Sequence, residues 1–80
     1  MLSKYLSAAL HQARYEILPD DDSYYGEIQT FEGVYANAST FAACREELAE
    51  VLEEWILFRV AKSLPLPVVD GLELAIKKVA

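Results

Sequence analysis

The residues of this chain best suited to chemistry are the Asp20-Asp21-Asp22 run, His11 and Cys44. A run of carboxylates suggests a divalent cation. Consecutive residues in an extended segment point to alternating sides, however, and do not converge as the spaced ligands of a calcium loop do. A solvated turn is the expected role. His11 has no second histidine, cysteine or Ser-Asp partner at motif spacing, so it reads as a surface residue at a helix end. Cys44 is the single cysteine, which excludes an internal disulfide and a zinc cluster. It falls on an apolar helical stripe, where a thiol behaves as a small hydrophobe. Gly26, Gly33 and Gly71 are scattered and belong to no phosphate-cradling loop. No catalytic residue, no metal ligand set and no cofactor is therefore expected.

What remains is charge and surface. Seven basic against thirteen acidic residues in a chain of 80 give a formal charge of −6, the wrong sign for holding phosphate backbones through the overall field. The same sign steers a basic partner inward. Hydrophobic residues at 54% and charged residues at 25% belong to a folding chain rather than a disordered one. The length fits one domain, small enough that self-association is expected to add stability. Ser3, Lys4, Ser7, His11 and Gln12 interrupt the start, so no secretory signal is expected. Apolar runs such as Trp55 to Phe58 fall far short of the ~20 residues of a spanning helix. A soluble, cytoplasmic protein is the expectation.

The elements that must position these residues follow from periodicity. Leu2, Tyr5, Leu6, Ala9 and Leu10 recur at helical spacing, predicting an amphipathic helix over 1–12 with Ser3 as N-cap. Alternation over 13–18 puts Tyr15 and Ile17 on one side of a strand, Arg14 and Glu16 on the other. Pro19 and the aspartates force a turn. A hairpin partner follows, with Tyr24, Gly26 and Ile28 opposite Tyr25, Glu27 and Gln29. Gly33 suits a second turn needing a positive φ, and Val34 to Asn37 is the next strand, so 13–38 is a β-meander. Phe41, Cys44, Leu48, Val51, Leu52, Trp55 and Phe58 form the stripe of a long helix over 39–62, capped by Ser39 or Thr40. Its acids are expected toward the start, and Arg59 and Lys62 at the end, as the macrodipole favours. Pro65 and Pro67 break the helix into a connector over 63–71. Leu72, Leu74 and Ile76 then alternate as a last strand over 72–79. The predicted fold is α+β: a small, mostly antiparallel sheet in α-β-β-β-α-β order, with helices over one face and bare sheet edges open to another chain.

Tyr15-Glu16-Ile17, an acidic turn, Tyr25-Gly26-Glu27-Ile28, Phe31-Glu32-Gly33-Val34, Ser39-Thr40-Phe41 and a helix containing Leu52-Glu53-Glu54-Trp55 together resemble the HicB-like antitoxin family. Gly33, Thr40, Trp55, Pro65 and Pro67 occupy the places of that family's glycine turn, helix cap, late tryptophan and proline connector. The turn differs from the family's Pro-Asp-Leu-Pro-Gly, since Thr30-Phe31-Glu32 precede Gly33 here. The resemblance implies a partial RNase H-like fold in a self-associating protein that neutralises a small, basic, RNA-cleaving HicA-like toxin. The ribbon-helix-helix or helix-turn-helix domain of full-length members does not follow the last strand before Ala80, so direct DNA or RNA binding is not expected. Nor are spaced carboxylates for a two-metal nuclease found on the predicted strands. On this reading Asp20, Asp21, Asp22, Tyr24, Tyr25 and Glu27 are the expected partner contacts, because they join charge, aromatic area and a hairpin position. Glu46, Glu50 and Glu53 come next. The alternative is an orphan oligomeric or ligand-binding protein of the same fold, using Tyr24, Tyr25 and Tyr35.

Overall fold

The computed structural model describes residues 2–72. Helix α1 runs Leu2–His11, strands β1, β2 and β3 run Arg14–Ile17, Tyr24–Glu27 and Tyr35–Ala38, and helix α2 runs Phe41–Ala61. The strands form one antiparallel sheet in the order β1-β2-β3. The fold is thus α+β with the expected α-β-β-β-α order. Of the strand expected over 72–79, only Leu72 is described; the rest of it, like Met1 of the first helix, lies outside the described residues.

Antiparallel strands joined by short loops follow from the alternation, and the register fixes which side chains share a face. Arg14, Glu27 and Tyr35 stand in one row across the sheet, and Glu16, Tyr25 and Asn37 in another. Tyr15, Gly26 and Ala36 form the row between them, on the opposite face. That inner face is covered by α2. Cys44 Sγ lies 3.6 Å from the Ala36 carbonyl, and Tyr15 and Tyr24 meet Phe41 edge-on with ring centroids 4.8 and 6.1 Å apart. Gly26 is required by this approach. A Cβ there would stand 2.7 Å from Tyr15 Cε1 and 2.8 Å from its Cδ1.

Helix α2 starts at Thr40, whose side-chain oxygen accepts from the Ala43 N–H at 3.1 Å, a cap that contributes about 1 kcal/mol. The acids begin in the first half of α2 but outside its first turn. Glu46 is the first of them, so the hydroxyl cap alone meets the positive end of the dipole. The buried row is Cys44, Leu48, Leu52 and Ile56, flanked by half-buried Val51 and Trp55. Phe58, expected on the stripe, is 59% exposed, and Phe41 at its start is 44% exposed. Ile56 and Phe58 are two residues apart, roughly 160° around the axis, so one packed neighbour cannot cover both. Helix α1 takes the Ile56 side, where Leu6, Ile56 and Leu57 line a shared groove.

In α1, Tyr5, Ala8 and Ala9 are buried and Leu6 and Leu10 half-buried. Ser3 lies inside this helix rather than capping it, because the helical turn already includes Leu2. The core closes over Tyr5, Phe31, Trp55 and Val69. Phe31 meets Tyr5 edge-on at 6.2 Å and Trp55 at 5.0 Å. The connector is tied down by backbone carbonyls that the prolines leave free: Tyr5 donates to the Pro67 carbonyl, and Arg59 Nε to that of Pro65 at 2.9 Å. Trp55 Nε1 donates to the Glu32 carbonyl at 3.0 Å, and Arg59 lies 4.8 Å over the indole ring. Val69 and Leu72 exchange backbone hydrogen bonds of 3.0 and 2.7 Å around Asp70-Gly71. No helix among the described residues is long and apolar enough to cross a membrane.

Candidate functional site

None of the described helices covers the sheet's outer face. Its rows place Tyr25 and Glu27 on β2 beside Glu16 and Arg14 on β1, and beside Asn37 and Tyr35 on β3. The Tyr25 and Tyr35 rings lie nearly parallel, 27° apart with centroids 6.3 Å distant. Tyr35 is 60% exposed. Partial burial pushes the Tyr25 phenol up, and the neighbouring Glu27, Tyr35 and Glu16 push it the same way. The two carboxylic side chains among those neighbours, Glu27 and Glu16, disfavour a further negative charge at this ring.

The β2–β3 loop extends this face. Three backbone hydrogen bonds of 3.0 to 3.2 Å, Ile28 N–H to Val34, Phe31 to Ile28 and Val34 to Phe31, draw the loop tight. They bury Ile28, Phe31 and Val34 while leaving Glu32 and Gly33 exposed. Gly33 has φ +90°, in the left-handed region the sequence assigned to it, so the departure from the proline-bearing turn keeps the glycine's role. Between loop and strands lies a recess of about 230 Å³ lined by Tyr25, Glu27, Glu32 and Tyr35 among others.

The six residues singled out in the sequence do not form one cluster. Tyr25 and Glu27 lie on the outer face. Tyr24 turns inward against Phe41 because its strand alternates. Asp20, Asp21 and Asp22 sit in the loop closed by Asp22 N–H to Leu18 and Leu18 N–H to Ser23, at the end of the sheet where Ile17 pairs with Tyr24. Three residues of strand, about 10 Å, separate that end from Glu27. Asp21 accepts the Ser23 N–H at 3.0 Å, and hydrogen bonds from Ser23 hold its carboxyl below the usual range. The three side chains are exposed, and no group of His, Cys, Asp and Glu able to hold a metal occurs among the described residues. Sequence reasoning placed Tyr35 in the alternative oligomeric or ligand-binding reading rather than among the toxin contacts, and omitted Glu32. The alternation of Tyr35-Ala36-Asn37-Ala38 with small inner residues was the signal for the first. For Glu32 there was none, since its position depends on the loop's hydrogen bonds.

Cys44 is fully buried, and burial together with the charge of Glu47 pushes its thiol up, so it stays protonated and inert. His11 is exposed in the last turn of α1. Glu46, Glu50 and Glu53 are exposed on α2.

No curated protein matches the chain. The crystal structure of TTHA0281 from Thermus thermophilus is similar, with 32% identity over 96% of this chain and 95% of that one, and a TM-score of 0.90. Residues 4–67, which run from α1 through the tethered prolines, match the UPF0150-like family model. The chain belongs to the UPF0150-like family, a small family related to the HicB-like antitoxins.

Proposed function

We propose that this protein is a non-catalytic, antitoxin-like binding module that sequesters a small basic toxin of the HicA-like, RNA-cleaving kind. The observation that carries the reading is the outer face of the sheet, which no described helix covers. Stacked Tyr25 and Tyr35 sit there with Glu16 and Glu27, in a chain of formal charge −6. Exposed aromatic area offers contact at low entropic cost, and carboxylates around it complement a basic surface. The related HicB-like antitoxins, and the order of glycine turn, Thr cap, late tryptophan and proline connector, support the same reading.

The test is capture on the tagged protein from its source cells at low and moderate salt, identification of any stoichiometric basic partner, and an RNA-cleavage assay of that partner. A small basic protein that cleaves RNA alone and is silenced by one equivalent of this chain is the expected result. Persistent cleavage at excess chain overturns it. A second reading, an oligomeric protein without a toxin, is favoured by the exposed apolar Leu57, Phe58 and Val68 at 65, 59 and 59%. Recovery of the bait alone as a stable oligomer selects it, and a monomer at micromolar concentration removes it.

A further inference from the structure

We infer that the recess between the β2–β3 loop and the outer face is a receptor for one arginine side chain of a basic protein. The identity of that protein rests on the antitoxin-like reading, but the receptor stands on geometry. At about 230 Å³ the recess is smaller than the ~300 Å³ at which small-molecule pockets begin, so it suits one side chain rather than a cofactor. Two carboxylates, Glu27 and Glu32, line it, and among the described residues no basic one does. Arg14 stands next to Glu27 across the β1–β2 pairing but is not part of the lining.

The aromatic pair decides between the two basic side chains. Tyr25 and Tyr35, nearly parallel at 27° with ring centroids 6.3 Å apart, bring two aromatic rings into the lining together with the two carboxylates. A guanidinium is planar: it stacks its face on a ring while its edge pairs with a carboxylate through a fork of N–H donors. An ammonium is a compact, strongly hydrated point charge that gains from the field but has no flat face to lay on a ring. The lining is built before binding. The tight loop is anchored by buried Ile28, Phe31 and Val34, and by the hydrogen bond from Trp55 to the Glu32 carbonyl. Little ordering is left for the ligand to impose.

The experiment is an NMR titration of the full chain with three blocked tripeptides, Gly-Arg-Gly, Gly-Lys-Gly and the neutral isostere Gly-citrulline-Gly, reading the ring resonances of Tyr25 and Tyr35. The expected result is saturable shifts with the arginine peptide, several-fold weaker binding of lysine, and none of citrulline. Glu27→Gln is expected to weaken arginine binding about tenfold, the loss of one charge-assisted contact. Tyr35→Ala, at an exposed position that leaves the fold intact, is expected to erase the preference for arginine over lysine. Asp20→Asn, at the far end of the sheet, is expected to leave binding unchanged. Equal binding of arginine and lysine, absence of saturable shifts, or an equal loss in Asp20→Asn overturns the inference. Those results leave toxin capture to stand or fall by its own assay, and arginine binding without any captured toxin sinks the antitoxin reading while keeping the receptor.

Discussion

Tyr24 and Tyr25 are neighbours in one strand and differ in fate. Tyr24, with Tyr15, packs edge-on against Phe41 beneath α2. Tyr25, with Tyr35, stacks on the face that α2 does not reach. The same residue type is packed under a helix on one side and left without a described helix over it on the other. Aromatic pairs of the first kind contribute about 0.5–1.5 kcal/mol beyond the area they bury. The pair of the second kind buries less, with Tyr35 60% exposed. The lesson is that residue type says little here, and the parity of the position within the strand says nearly everything.

The comparison can be broken most forcefully from inside. Leu48 is fully buried under the sheet, and Leu48→Ala is expected to lower stability by roughly 2–5 kcal/mol in urea unfolding, a large fraction of what so small a domain has. Gly26→Ala places a methyl against Tyr15 and should cost about 1–3 kcal/mol by the same measurement, since the ring must leave its place on Phe41. An unchanged midpoint in that variant would mean that the inner tyrosine is not held as described. Tyr35→Ala sharpens the contrast from the other face. It should change stability by no more than about 0.5 kcal/mol while weakening partner capture about tenfold. A large loss of stability there would make the outer pair structural and erase the distinction.

The smallest expected effect concerns the loop far from the recess. Hydrogen bonds from Ser23 lower the Asp21 pKa in the folded chain, so its contribution is present above the carboxylate's unfolded value, about 4, and is lost as pH falls through the lower folded value. Asp21→Asn should therefore unfold slightly more easily at neutral pH, with the difference from the parent closing in acid. Measurement of the urea midpoint against pH checks the sign. A gap that widens in acid would refute it.

Much of this was legible in advance for local reasons. That Tyr24 and Gly26 lie opposite Tyr25 and Glu27 follows from strand alternation alone, while α2 decided which side is inner and so turned Tyr24, expected among the partner contacts, against Phe41. Thr40 as cap and Gly33 in the left-handed region follow from side-chain chemistry. Errors arose where a second element mattered. Phe58 satisfies helical spacing as well as Ile56 does, and only the side on which α1 packs buries one and exposes the other. Asp20 to Asp22 and Glu27 were grouped for charge and a shared hairpin, and that hairpin carries them to opposite ends of the sheet.

The sequence by itself determined the order of the described elements, which strand residues share a face, the acidic net charge and the absence of an internal disulfide. These depend on periodicity, composition and counting, which act within a few residues or over the whole chain. The tertiary structure alone decided which helix flank is covered, which end of the sheet gathers two tyrosines and two glutamates into one recess, and that the connector's carbonyls hold Tyr5 and Arg59. Those outcomes depend on contacts between residues far apart in the chain, where several pairings satisfy the same local preferences and only the packed core selects among them.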